Sequence, residues 1–594
     1  MRGARSRALA LGAIGAITAV AVSARYAVSG YHAALPLLLV GAVALVAAAL
    51  RTSTPAQPRV TPLRHDIIAI ALVTLIVLPL YCWRLYTTPW QVNTDEVTIM
   101  YVARQLLHAR DTDPLGLSWY FGFPAGIFVV FGWLAERLGG IDLYHFRVIH
   151  SLFGVGSVLL AYGLCRQFTT PLRSATVALI LGANHSLIGI SRMAMRDNTG
   201  LFLELLSLLL FVHGFVRRSS GWLFLGGAAA GLTFYTYFPS RITLVIWGAT
   251  LGAAWLVRPN RALFRRVLIA GLVSVAGWAV VAAPVLIASN KHQAQAYGYQ
   301  RQQFLFYPEG RLLEQQWTGT PTPAAAWKAN IRQGLGTFNG KVHDQGYIYP
   351  NLGHGFTDRI TGVLLWVGVV VAVGTLYRRR DEALAELLAL TGFLSLYLAF
   401  AFVITKAPNY TRLLVILPFV AWLAGSGLWW LAEWVSRRVG ADGAGRTRVA
   451  NAVAMLAVAT ILVVNARIFG DFAARGVAEG NDVGSTGRLV AARRGQPGQA
   501  WILAADKAHP YYSWGESWQW QSWLAFFADS SQLVRVVSPD SLNGPALPPR
   551  FTLLLSQGAW AEQELRFRAT HRVDSVVSVL PGGRLLAVEV TPAQ

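Results

Sequence analysis

Apolar runs long enough to cross a bilayer alternate with short polar breaks rich in arginine over most of the chain. They fall at about 8–24, 33–50, 66–86, 147–165, 174–190, 198–216, 221–238, 240–257, 267–288, 359–377, 384–404, 412–436 and 449–467. Each reads as a helix, because only a helix or a closed barrel satisfies its backbone N–H and C=O groups where no water is present. One further run, 118–138, contains Gly122, Pro124 and Gly126 and a cluster of rings at Trp119, Tyr120, Phe121 and Phe123. That composition suits a helix lying in the membrane interface.

The placement of 118–138 decides the topology. If it spans, every later loop changes side. If it lies flat, the short basic loops share one side: Arg51/Arg59/Arg64, Arg166/Arg173, Arg217/Arg218, Arg258/Arg261/Arg265/Arg266, Arg378/Arg379/Arg380 and Arg437/Arg438/Arg446/Arg448. The positive-inside rule places that side in the cytoplasm and selects about thirteen spans. The opposite face then receives loop 87–146, the short loop from Ser191 to Asn198, the turn Tyr237-Phe238-Pro239-Ser240-Arg241, loop 289–358, the stretch Lys406 to Arg412, and everything beyond 468.

Beyond 468 the hydropathy drops and short alternating segments appear at 501–503, 533–537, 551–555, 573–580 and 585–590, with helical stretches at about 516–528 and 559–569. This pattern predicts a small α/β domain in the extracytoplasmic space. The fold class expected is therefore an all-α polytopic membrane bundle with a small C-terminal α/β domain. The expected organisation is an N-terminal transmembrane hairpin over 1–60, a transmembrane catalytic domain over 61–467 and an extracytoplasmic domain over 468–594. The first apolar run could also be read as a signal peptide ending at Ala-Val-Ser-Ala; basic residues on both flanks of the first two runs favour a retained hairpin. Trp514, Trp518, Trp520 and Trp523 are candidates for stacking on sugars, or for packing against the membrane or the domain core.

Composition agrees with this outline. The chain of 594 residues is 54% hydrophobic and only 13% charged, with a mean hydropathy of +0.44. A net charge of +22 would suggest nucleic acid in a soluble protein, but topology already accounts for these arginines, and no nucleic-acid partner is expected. Cys82 and Cys165 fall inside apolar runs without metal-ligand spacing, so neither a disulfide framework nor redox chemistry is indicated.

The chemistry concentrates on one face. Asp95 and Glu96 sit just past an apolar run, in Asn93-Thr94-Asp95-Glu96-Val97, and open an amphipathic helix. Asn93 with Glu96 resembles a capping box, which gives Glu96 a structural role as an alternative. Asp95 would be held at the membrane surface, where a general base must stand to deprotonate a hydroxyl attacking a lipid-phosphate sugar. Positive charge is then needed near the leaving phosphate, because negative charge grows on that oxygen as the glycosidic bond breaks. Arg147, Arg192, Arg241, Lys406 and Arg412 are the candidates, with Arg196 and Arg301 on the same face; arginine grips phosphate with two parallel hydrogen bonds, lysine as a point charge. Each also has a plainer reading as an interfacial anchor or ion-pair partner, and Arg192 with Asp197 could form a structural pair. His343, Asp344 and His354, with Tyr347 and Tyr349 between them, are acceptor-contact or loop candidates; their spacing matches no metal-ligand motif. No metal and no cofactor is expected.

An Asp-Glu pair in the first external loop, an amphipathic helix after it, and an arginine leading into the next span (Phe146-Arg147-Val148-Ile149) resemble the C-type glycosyltransferase superfamily. The resemblance is to the branch holding dolichyl-phosphate-mannose protein mannosyltransferases and the lipid-A aminoarabinose transferase. Ser191-Arg192-Met193-Ala194-Met195-Arg196-Asp197 is similar to the Arg-x-x-x-x-Asp stretch of its second external loop. The resemblance covers about 66 to 436. It implies that Asp197 is a second functional acid, orienting the acceptor or completing the first site. Where many members carry His-Pro-Pro or Lys-Pro-Pro, this chain has Phe121-Gly122-Phe123-Pro124-Ala125-Gly126, and the repeats common in protein mannosyltransferases are not evident.

The function expected is an inverting glycosyltransferase of a bacterial-type plasma membrane. It would move a sugar from a polyprenyl-phosphate donor to a lipid, glycan or protein hydroxyl on the extracytoplasmic face, with membrane lipids as its surroundings. The alternative is a transporter or flippase of an anionic lipid, for which acids buried in mid-membrane and discontinuous helices would speak.

Overall fold

The computed structural model describes residues 2–50, 62–89, 92, 94–338, 342, 344, 354–378, 383–439, 442–475, 482–493, 500–504, 527–528, 532–538, 542, 547–579 and 585–591. The chain divides into two compact units: Met1–Leu85 with Leu106–Phe472, and Tyr86–Gln105 with Ala473–Gln594.

The first unit is helical. Among the described residues ten helices are long and apolar enough to cross a membrane, or eleven if the bent pair Pro171–Ala183 and His185–Arg192 counts as one span. The protein is integral to a membrane. The sequence pattern predicts about thirteen spans, and three runs account for the difference. The run at 33–50 folds as Leu35–Ala49, 15 residues, and that at 221–238 as Ser220–Leu232, 13 residues. At 1.5 Å per residue both fall short of the ~30 Å hydrocarbon thickness. The run at 174–190 is bent by 60° at Asn184, which leaves helical geometry (φ −57°, ψ 119°) and caps the second half by accepting from the Leu187 N–H at 3.0 Å. Asparagine favours such a break because its side chain replaces a backbone partner. The interfacial candidate contains a helix of 14 residues, Ala125–Leu138.

Close packing in this unit relies on small residues. Helix Ser220–Leu232 crosses helix Arg261–Lys291 through Gly227-Ala228-Ala229-Ala230-Gly231, where a Cβ on Gly227 would stand 2.0 Å from the Ser274 carbonyl oxygen. Gly277 makes the reciprocal approach: a Cβ built on it would stand 2.1 Å from the Phe224 carbonyl oxygen. Two helices meet at backbone distance in this way when lipid supplies no hydrophobic drive and van der Waals contact must hold them together.

A buried polar node joins the bend at Asn184 to the last span, Gly443–Ala473. The His185 N–H donates to Asn465 Oδ1 at 3.0 Å, and Asn465 Nδ2 donates to Asp358 Oδ2 at 2.8 Å. Ser186 donates to the Phe356 carbonyl at 2.9 Å. Asp358 also accepts from the N–H and hydroxyl of Thr361, opening helix Arg359–Arg378.

The second unit carries a five-stranded sheet of β1 (Ala500–Ala504), β2 (Leu533–Val537), β3 (Phe551–Ser556), β4 (Arg572–Ser578) and β5 (Leu585–Thr591) in the order β2-β1-β3-β5-β4. β1 pairs parallel with β2 and β3, whereas β5 runs antiparallel to β3 and β4. β1 is buried along its whole length, as expected for a central parallel strand with a continuous apolar run. Ile502, Phe551, Leu553, Leu555 and Val588 form the core with Trp560 and Phe567 of helix Gln557–Thr570. Arg493 pairs with Glu589, which also accepts from the Thr552 hydroxyl. The four tryptophans at 514–523 lie outside the described residues.

Candidate active site

Asp95 and Glu96 occupy the first turn of helix Thr94–His108, where the exposed N–H groups and the helix dipole favour negative charge. Asp95 is half-buried and Glu96 fully buried. Val97, Ile99, Met100, Val102 and Ala103 are buried too, so the helix is enclosed rather than laid on a surface as its amphipathic pattern predicts. Asn93, the expected cap, lies outside the described residues. Within the same unit, Arg488 of helix Asp482–Ala492 donates to the Tyr86 carbonyl at 2.7 Å and stacks over the Tyr86 ring at 5.1 Å. Nearly buried, it ties the segment before Asp95 to the C-terminal part of the chain.

In the first unit the basic residues fall into two groups. Arg147 donates to the Leu85 carbonyl at 3.0 Å, and Arg192 to the Leu80 carbonyl at 2.7 Å and to the Trp83 carbonyl. Both guanidiniums thus serve the carbonyls at and beyond the end of helix Leu63–Cys82, groups that no water satisfies in an apolar setting. Arg241 donates to the Phe234 carbonyl at 3.4 Å and lies over the Phe234 ring.

The second group surrounds Arg412, which is 4% exposed. Its guanidinium donates to the Thr405 carbonyl at 3.0 Å, to Gln303 Oε1 and to the Tyr237 hydroxyl at 3.4 Å, and Tyr299 acts on it electrostatically. Arg196 lies close by, its guanidinium carbon 4.0 Å from the Phe123 ring centroid and 5.1 Å from that of Tyr237. The Tyr299 ring lies tilted against Phe121 at 5.3 Å and edge-on to Phe123 at 5.4 Å. Two guanidiniums are therefore held in an aromatic wall, where attraction to ring faces offsets part of their lost hydration.

Lys406 completes this group. Its backbone sits in the left-handed region at φ +57°, its N–H donates to Glu314 Oε2 at 2.7 Å, and its ammonium lies 4.1 Å from the Trp317 ring centroid. Burial, assisted by Arg412, lowers the Lys406 ammonium from its ordinary value. Burial likewise raises the Glu314 carboxyl against the opposing pull of the Lys406 N–H. Tyr237 is pushed upward by burial, so its phenol stays protonated and able to donate.

Asp197 begins helix Asp197–Arg217, is 6% exposed, and acts electrostatically on Tyr237. It thereby shares the neighbourhood of Arg196 and Arg412. Asp344 accepts from the Tyr410 N–H at 3.0 Å and the His354 carbonyl accepts from the Tyr410 hydroxyl at 3.3 Å; both draw the ends of their loop onto the short helix Tyr410–Leu413. His343, Tyr347 and Tyr349 lie outside the described residues. Tyr299, Gln303, Glu314 and Trp317 escape the sequence reading. The i, i+4 spacing of Tyr299 and Gln303 on helix Gln293–Gln303 is the signal that could have drawn attention to two of them.

No protein-family description matches the chain, and no curated protein sequence matches it. Solved structures do. ArnT from Cupriavidus metallidurans bound to undecaprenyl phosphate superposes with a TM-score of 0.53 at 15% identity, covering 88% of this chain and 97% of that one. The apo state gives 0.52 at 14% identity with the same coverage. The chain has an ArnT-like fold. The apo oligosaccharyltransferase of Archaeoglobus fulgidus aligns at 0.50 and 12% identity, over 83% of this chain and 69% of that one. At these identities the ArnT-like fold is what is shared.

Proposed function

We propose that the protein is an integral-membrane inverting glycosyltransferase that moves a sugar from a polyprenyl-phosphate donor to an acceptor hydroxyl on the extracytoplasmic face of a bacterial-type plasma membrane. The observation that carries this reading is the cluster of Arg412, Arg196 and Lys406 set in aromatic rings within an ArnT-like fold, since ArnT binds undecaprenyl phosphate. In this reading the cluster neutralises the phosphate oxygen as the bond to the anomeric carbon breaks. Tyr237 supplies a neutral donor. Asp95 takes the proton of the attacking hydroxyl, and Asp197 orients charge beside Arg196. A single in-line displacement inverts the anomeric centre, and no metal is required because a monophosphate leaving group can be matched by guanidinium and ammonium alone.

A second reading, transport of an anionic lipid, draws support from Glu204. It is fully buried within span Asp197–Arg217, and neither carboxylate oxygen has a hydrogen-bond partner among the described residues; acids so placed commonly mark pathways. One experiment separates the two. Purified protein in nanodiscs is incubated with polyprenyl-phosphate sugars and a mixture of acceptor hydroxyls. Acceptor-dependent release of polyprenyl phosphate supports transfer; movement of intact donor between leaflets without release supports transport and removes the enzyme reading.

A further inference from the structure

Helix Gln293–Gln303 presents chemistry on two adjoining faces. Ala296, Tyr299 and Gln303, at i, i+3 and i+7, lie on one side; Gln303 accepts from the Arg412 guanidinium, and Tyr299 acts on it electrostatically. Tyr297, Gln300 and Arg301 lie on the adjoining face and, with Phe304 just past the helix end and Tyr307, line a separate cavity of ≈ 270 Å³. The cavity stands one ring layer from Arg412: Phe304 packs against Phe238 at 5.9 Å, and Phe238 lies 6.0 Å from the Arg412 guanidinium. Its geometry is fixed by backbone. The Leu305 N–H donates to the Val403 carbonyl at 2.9 Å, and the Thr405 N–H to the Gln303 carbonyl at 2.9 Å. Helix Pro308–Thr318 can cross the end of this helix only because residue 310 is glycine, where a Cβ would meet the Phe304 carbonyl oxygen at 2.1 Å.

We infer that this cavity binds one sugar ring bearing an anionic oxyacid group, as the recognition subsite for the acceptor. The volume is slightly below the ~300–1,000 Å³ of clefts for drug-sized ligands, which suits a monosaccharide unit and excludes a polyprenyl chain. Tyr297 and Tyr307 remain 36% and 43% exposed and offer ring faces to the apolar side of a sugar. Gln300 supplies a planar donor and acceptor pair for hydroxyls. Arg301 has no ion-pair partner among the described residues and leans over Tyr307 at 5.8 Å; its fork fits a carboxylate or a phosphate in bidentate fashion. Use of the cavity as an acceptor subsite rests on the transfer reading above, whereas the binding itself does not.

The test is saturation-transfer NMR on the full chain in nanodiscs with three probes: methyl glucuronide, glucose 6-phosphate and neutral methyl glucoside. At least one anionic sugar should bind about tenfold or more tightly than the neutral one, as a charge-assisted hydrogen bond provides, and which one does identifies the oxyacid. Arg301→Gln should abolish that preference, and Tyr307→Ala should weaken all three. Equal binding of the three probes to the native chain, or a preference that survives Arg301→Gln, overturns the inference. The melting temperature of Arg301→Gln reports that the variant is folded. If anionic sugars bind as expected but no polyprenyl phosphate is ever released, the subsite stands and the transfer reading falls; if transfer proceeds with native acceptor KM in Arg301→Gln, the subsite falls and transfer stands.

Discussion

The Lys406 N–H donates to Glu314 Oε2 at 2.7 Å, and this bond fixes a lysine whose backbone is left-handed. That conformation costs a residue with a Cβ about 1–2 kcal/mol. The contact with Glu314 and the Trp317 ring hold it in place, and the ammonium is thereby set beside Arg412.

The first prediction concerns alkaline pH. Burial and Arg412 lower Lys406 below its ordinary 10.5, so its charge disappears earlier than that of an exposed lysine. Donor kcat/KM should fall as pH rises through the lowered value, and Lys406→Arg should shift that limb upward. Superimposable profiles for the two proteins would remove Lys406 from donor binding.

Glu314 gives the opposite sign in a stability measurement. Its folded-state value is raised above 4.5 by burial, so the folded state binds more protons than the unfolded one between the two values. The group's contribution is present in full below 4.5 and is lost as pH rises through the folded value. Glu314→Gln, which keeps an acceptor for the Lys406 N–H, should therefore gain stability relative to the native chain as pH rises above 4.5. Thermal unfolding of both proteins across that range is the measurement.

Arg412 donates to Thr405, Gln303 and Tyr237, a set that a lysine cannot satisfy. Arg412→Lys should raise donor KM by about tenfold or more while retaining charge, because hydrogen bonds to charged groups are worth about 1.5–3 kcal/mol each. A donor KM within twofold of native would show that charge alone is used there.

Asp95→Asn preserves size and one acceptor oxygen but cannot take a proton. Turnover should drop by about 10²-fold or more, with expression and melting temperature unchanged. Near-native turnover assigns the base elsewhere.

The last prediction is structural. Gly227→Ala places a methyl group 2.0 Å from the Ser274 carbonyl oxygen, and overpacking of this kind costs about 1–3 kcal/mol. Melting in detergent should fall accordingly, whereas Gly248→Ala, with open space around its Cβ, should not change it.

Much of the architecture is legible in the chain because hydrophobic runs and alternation are local signals. All five strand segments coincide with described strands, from Ala500–Ala504 to Leu585–Thr591. The break at Asn184 is not legible, since a single asparagine in an apolar run reads the same in a continuous helix and a bent one. Nor is the grouping of Tyr86–Gln105 with the C-terminal unit, which depends on a pairing such as Arg488 with Tyr86 across four hundred residues. Among the candidate residues, sequence could mark cations but not their targets. Arg192 and Arg412 look alike in the chain, yet Arg192 serves the carbonyls of Leu80 and Trp83 while Arg412 gathers the side chains of Gln303 and Tyr237. Only tertiary contact distinguishes them.

Asn465 has a practical bearing on how far the chain can be shortened. The motif resemblance read from the sequence ends near 436, although the ArnT superposition covers 88% of the chain, and that limit invites trimming just past Arg438. Such a cut would strip the His185 N–H of its acceptor and Asp358 of one donor, in a region where solvent cannot substitute. The final helix is thus a keystone for the kinked segment upstream as well as the covalent lead into the C-terminal sheet, and a minimal stable fragment has to extend beyond residue 465.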